Sequence, residues 1–149
     1  MKRFNVTINF DLDGTLCHLY GVDGWLEMLR AEDETPYVIA KPLIRLSALA
    51  RILNRLQREG YRLGVISWLS KSGTEEYNEK VTNAKLEWLA EHLPSVMWDR
   101  ITIVEYGTPK EIYCDSLLDI LFDDEEQNRK NWNGIAFDVD DIIGVLKTL

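Results

Sequence analysis

The stretch Phe4-Asn5-Val6-Thr7-Ile8-Asn9-Phe10-Asp11-Leu12-Asp13-Gly14-Thr15-Leu16 decides how the rest of the chain is read. Phe4, Val6, Ile8 and Phe10 alternate with Asn5, Thr7 and Asn9, the period of a strand with one apolar face. The strand runs into Asp11 and Asp13, and Gly14 then permits a sharp turn. In an open α/β sheet small ligands bind beyond the carboxyl ends of the strands, so carboxylates here are placed for chemistry. Asp before Gly also opens ordinary turns, and four residues alone decide little. The polar positions Asn5, Thr7 and Asn9 are unusual for a central parallel strand, which normally reads apolar on both faces.

Working outward, residues 17 to 41 form a short excursion with a helical patch around Trp25, Leu26, Met28 and Leu29, an acidic run and Pro36. Pro42 suits a helix start, and Leu46, Leu49, Leu53 and Leu56 recur at helical spacing up to Gly60. Leu63, Val65 and Ile66 predict a second strand ending at Ser67. A longer helix follows from about Gly73, with Tyr77, Val81, Ala84 and Trp88 on one stripe. Ile101, Ile103 and Val104 predict a third strand, closed by Gly107 to Lys110, and Leu117 to Phe122 a fourth, running into Asp123 and Asp124. Ile135 to Phe137 and a helix over Ile142 to Leu146 complete the chain. Strands alternating with helices predict a doubly wound parallel sheet in one α/β domain spanning residues 1–149.

The chain has 149 residues, of which 46% are hydrophobic, enough for one ordinary core and no more. Its 17 basic and 25 acidic residues give a net charge of −8, which disfavours long nucleic acids and anionic membrane surfaces. After Met1-Lys2-Arg3 no uninterrupted apolar run of signal-peptide or membrane-spanning length occurs. Two cysteines, Cys17 and Cys114, make no disulfide framework, so a reducing, cytoplasmic setting with free thiols is expected.

The first four predicted strands are followed in turn by Asp11 and Asp13, Ser67, Lys110, and Asp123 with Asp124. This order resembles the haloacid dehalogenase superfamily of phosphohydrolases, with D-x-D-G-T, a Ser or Thr, a Lys and a closing acidic pair. The resemblance runs from Phe4 to about Phe137 and implies a Rossmann-like sheet of five strands in the order 3-2-1-4-5. Four carboxylates brought to one edge cannot all stay ionised without positive charge, which implies a metal. Oxygen-only ligands suit Mg²⁺.

By resemblance, Asp11 and Asp123 would bind Mg²⁺ through their carboxylates and Asp13 through its backbone carbonyl, with Asp124 in support through water. Asp11 would be the nucleophile that forms an aspartyl-phosphate, and Asp13 the general acid and then base. Ser67 and Lys110 would contact the transferring phosphoryl group, with Thr15 and Trp68 also on the substrate side. Ser70 and Ser72 stand as alternatives to Ser67, and Lys71 and Lys80 to Lys110. Asp138, Asp140 and Asp141 form a second D-x-D that reads as a helix cap.

In that superfamily a cap between the first two motifs closes over the site. Here the corresponding segment, about 17–41, is small, so the site is expected to be open, covered by a second copy in a homo-oligomer, or built for a bulky phosphate ester. Tyr20, Trp25, Tyr37 and Trp68 are candidates to stack on a base or to pack in the core. The ending Leu121-Phe122-Asp123-Asp124-Glu125 resembles the deoxyribonucleotidase branch. The expected activity is therefore a phosphomonoesterase for a small phosphate ester, with a nucleotide as one candidate. A non-catalytic phospho-ligand module, or a phosphatase for polynucleotide or protein phosphate ends, is the alternative.

Overall fold

A computed structural model describes residues 6–149, so Phe4 and Asn5 of the expected opening strand lie outside the described residues. Strands β1 (Thr7–Phe10), β2 (Arg62–Trp68), β3 (Arg100–Val104), β4 (Ile120–Phe122) and β5 (Ile135–Phe137) are all parallel. They hydrogen-bond in the order β3-β2-β1-β4-β5, the order that the sequence resemblance implies. Strand order reverses next to β1, and the carboxyl ends of β1, β2 and β4 meet there.

The pleat sorts the residues of these strands. Ile8 and Phe10 of β1 join Leu63 and Val65 of β2 and Phe122 of β4 in the main core. Helix α3 (Leu46–Arg58) supplies Leu49, Leu53 and Leu56 to that core, and α6 (Ile142–Thr148) supplies Ile142 and Leu146. Each such side chain, taken fully out of water, contributes about 1.5–3 kcal/mol. Ile66, Leu121 and Trp132 form a separate cluster.

Asn9 is central, polar and fully buried, and only half of its amide is paired: its Oδ1 has no hydrogen-bond partner. It pairs in register with Gly64, where a Cβ would come within 2.5 Å of Asn9 Oδ1, so glycine makes the room. Its amide nitrogen donates to the carbonyl of Ile120. Beside it the backbone N–H of Thr7 donates to buried Asp119.

Three expected boundaries move. The helix expected from Pro42 starts at Leu46, and Pro42 instead forms an isolated bridge with Cys17. The fourth strand starts at Ile120 rather than Leu117, because Asp119 accepts from the N–H groups of Asp115 and Ser116 and holds a turn there. Leu117 and Leu118 sit exposed on that turn. Lys110 does not end β3 but opens a short 3-10 turn, Lys110–Tyr113, behind Pro109.

The excursion over residues 17–41 contains α1 (Trp25–Arg30) and α2 (Thr35–Ile39). Its ends are tied together by His18 N–H donating to Lys41 O and Leu43 N–H to Leu16 O. Tyr37 and Leu19 pack with Tyr77, Val81 and Ala84 of α4 (Glu75–His92), which fixes the excursion against the body. Among the described residues no helix is long and apolar enough to cross a membrane. The remaining helix, α5 (Glu126–Asn131), follows the acidic pair.

Candidate active site

Asp11 begins where β1 ends, its N–H still donating to Phe122 O at 2.8 Å as though the ladder continued. Lys110 Nζ lies 2.9 Å from Asp11 Oδ1 and 2.8 Å from Asp123 Oδ2, so one buried ammonium ties the first and last acidic motifs together. Asp123 Oδ2 also accepts from Asn128 Nδ2 at 3.1 Å, and its Oδ1 from the N–H of Glu125. The Thr15 hydroxyl lies 3.0 Å from Asp11 Oδ2 and 3.3 Å from Asp124 Oδ1. Gly14 holds φ at +80°, which a glycine adopts without steric cost, and so lets Asp124 sit directly over the turn.

Asp11, Asp123 and Asp124 each offer a carboxylate oxygen within 4.8 Å of the others. Burial raises the Asp11 carboxyl, but the Lys110 charge and hydrogen bonds from Asp124, Lys110 and Thr15 outweigh it and leave Asp11 below the ordinary range. Burial and then the Asp11 charge push Asp123 up to about 6, against the pull of Lys110. Burial, a hydrogen bond with Asp11 and repulsion from Asp11 and Asp123 push Asp124 up to about 8. Asp11 is therefore the most acidic of the three carboxyls and Asp124 the first to take up a proton. Lys110 itself is raised by Asp11 and Asp123 despite its burial, and stays charged. The donor set is all oxygen and holds more negative charge than one lysine offsets, which fits a hard divalent cation such as Mg²⁺.

Asp13 is held from two sides. Lys85 Nζ on α4 lies 3.0 Å from its Oδ2, and Cys17 Sγ lies 3.4 Å from its Oδ1 and 3.4 Å from Leu12 O, two acceptors for one S–H. Burial, reinforced by Asp13, pushes the Cys17 thiol up, so it remains a donor.

Above these groups lies a cavity of about 360 Å³. Asp11, Asp13, Lys110, Asp123 and Asp124 form its polar floor, joined by Asn128. Tyr20 and Trp25, which meet edge-on at 5.0 Å, and Trp68 and Tyr106, 5.1 Å apart, also line it with Leu26, Leu29 and Tyr37, and Ser70, Lys71 and Glu125 add polar groups. Trp68 is pinned by its indole N–H donating to Thr108 O at 2.8 Å, and the Lys110 ammonium lies 5.3 Å from its ring centroid.

The structure thus brings Asp11, Asp13, Lys110, Asp123, Asp124 and Trp68 to one cavity. Two expected substrate contacts are placed elsewhere. Ser67 is fully buried and does not line the cavity, because alternation along β2 sends it to the side of Leu63 and Val65, where its oxygen accepts from Lys85 at 2.7 Å. Ser70, the alternative, does line it. Thr15 is likewise buried away from the cavity and orients Asp11 rather than facing a substrate. Lys71 lies on the cavity wall and is exposed, and Lys80 is exposed on α4. Asp138 accepts from the N–H of Val139 and opens the turn before α6, as a cap does. Sequence reasoning misses Lys85, Asn128 and Tyr106.

No protein-family model and no curated protein sequence matches this chain. In three dimensions it is similar to a D,D-heptose 1,7-bisphosphate phosphatase from Burkholderia thailandensis, at a TM-score of 0.51 and 16% identity over 84% of this chain and 70% of that one. At that identity the likeness is one of fold.

Proposed function

We propose that the protein is a Mg²⁺-dependent phosphomonoesterase for small phosphate esters, acting through a phosphorylated Asp11. The observation that carries this reading is the Lys110 bridge between Asp11 and Asp123, beneath a cavity that Asp13 also lines. The fold shared with a phosphatase supports it. Asp11 and Asp123 would hold the metal by their carboxylates and Asp13 by its backbone carbonyl, with Asp124 in support. When bound, Mg²⁺ supplies positive charge for the phosphoryl oxygens and for the crowded carboxylates.

Asp11, kept ionised by Lys110, attacks phosphorus in line as the bond to the leaving oxygen breaks. Asp13 donates a proton to that oxygen as general acid and becomes the base for the second step. Water then attacks phosphorus, its proton passes to Asp13, and the bond from phosphorus to Asp11 breaks to release phosphate. Lys110 neutralises charge on the phosphoryl group throughout, and such electrostatic stabilisation is where most of the catalysis of phosphoryl transfer resides.

The cavity volume suits a small molecule, and the charge of −8 disfavours a polyanion. Its aromatic walls offer stacking surface to a planar leaving group, a nucleoside among them, and Ser70, Lys71, Glu125 and Asn128 offer hydrogen bonds to its polar groups. The test is phosphate release from nucleoside monophosphates, aryl phosphates and sugar phosphates, with Mg²⁺ and with chelator, on wild type beside Asp11→Asn. Metal-dependent release that the variant loses is expected. Release that Asp11→Asn retains in full would overturn the assignment.

A further inference from the structure

Lys85 is a lysine with 1% of its side chain exposed, in the middle of an 18-residue helix whose other buried side chains are mostly apolar. Lysine is almost never fully buried without partners, because an ammonium taken out of water costs several kcal/mol. Its three donors are all used: Asp13 Oδ2 at 3.0 Å, Ser67 Oγ at 2.7 Å and the carbonyl of Trp68. No N–H remains for a substrate, and Lys85 does not line the cavity. Asp13, by contrast, has 13% of its side chain exposed and does line it.

We infer that Lys85 is a positioning residue for the acid–base step, fixing the Asp13 carboxylate through Oδ2 while Ser67 and Trp68 fix the ammonium. This rests on the phosphatase reading above. Ser67 and Trp68 O belong to β2, and the lysine to α4, so the acid–base group on the β1 turn is braced by two elements other than its own. Cys17 Sγ borders Oδ1, its one S–H divided between that oxygen and the carbonyl of Leu12. A carboxyl group anchored at Oδ2 keeps one orientation and leaves Oδ1 to carry the proton, and a misplacement of about 1 Å in such a group costs roughly 10²-fold in rate.

The test is a double-mutant cycle of Lys85→Met and Asp13→Asn, read as kcat and KM for 4-nitrophenyl phosphate and for an alkyl phosphate, with inhibition by inorganic phosphate. Lys85→Met is expected to lower kcat roughly 10²-fold for the alkyl ester and less for the aryl one, whose leaving group needs little protonation. KM and phosphate inhibition should hold, and in the Asp13→Asn background the same change should add little. A Lys85→Met enzyme with wild-type kcat, or one whose loss multiplies fully with that of Asp13→Asn, overturns the inference. Should Lys85→Met fail to fold, Ser67→Ala removes one anchor of the ammonium without stranding a charge, and must show the same leaving-group bias to a smaller degree; its absence overturns the inference as well. A slow Asp13→Asn beside a normal Lys85→Met would leave the phosphatase reading standing and remove only the role of Lys85. A wild type with no phosphatase activity removes both.

Discussion

A Cβ placed on Gly14 would lie 2.5 Å from Asp124 Oδ2, so the turn after β1 and the acidic pair after β4 are packed against each other through a missing side chain. Gly14→Ala therefore meets two penalties, a positive φ and a displaced carboxylate. The backbone penalty alone is about 1 kcal/mol. The expected outcome is a folded protein with a lower denaturant midpoint and weaker Mg²⁺ binding by calorimetry. Unchanged metal affinity would show that Asp124 can move away freely.

Protonation of the acidic cluster predicts a pH dependence of defined sign. Asp124 and Asp123 titrate near 8 and 6 in the folded protein, against 3.8 ordinarily. Between those values the folded chain binds more protons than the unfolded one, so metal-free stability falls as pH rises from about 4 to about 8. Binding a divalent cation releases these protons, so Mg²⁺ affinity rises through the same window and levels off above it. Thermal midpoints across pH with and without Mg²⁺ check both halves: the stabilisation by metal must grow with pH. A pH-independent metal effect would contradict proton release from Asp123 and Asp124 on metal binding.

Trp68 stands beside Lys110, with its ring fixed by the hydrogen bond to Thr108. Stacking on such a ring is worth about 1–3 kcal/mol per base, so Trp68→Leu should lower kcat/KM for a nucleoside monophosphate about tenfold. A sugar phosphate should lose much less. Equal losses for both would show that the aromatic wall packs the fold and selects nothing.

The β1 turn is legible in the sequence because a period-two apolar run ending in polar residues is a local signal, whereas the sheet order and the convergence of Asp11, Lys110, Asp123 and Asp124 are implied only by the resemblance of the motif order. Ser67 is misplaced by sequence reasoning because a strand-end residue can point to either face, and only the packing of β2 against α4 decides which. Lys85 carries a readable sign: it falls four residues after Val81, on the stripe of Tyr77, Val81, Ala84 and Trp88, where a charge needs a partner. That partner, Asp13, is distant in sequence and cannot be named without the fold. The turn at Leu117 and Leu118 reads as strand because its cause, the Asp119 carboxylate caging nearby N–H groups, leaves no mark in apolar periodicity.

The central claim is that phosphorus becomes bonded to Asp11. The most direct measurement is acid quenching of the Asp13→Asn variant during turnover with Mg²⁺ and substrate, followed by peptide mass mapping. With 4-nitrophenyl phosphate, whose leaving group needs little protonation, Asp13→Asn still forms the intermediate but lacks the base for the second step, and should accumulate one phosphoryl group on the peptide containing Asp11, with none in Asp11→Asn. Metal-dependent turnover by the wild type, with no phosphoryl group on Asp11 in wild type or Asp13→Asn at any quench time, would contradict that claim and point to direct attack by water.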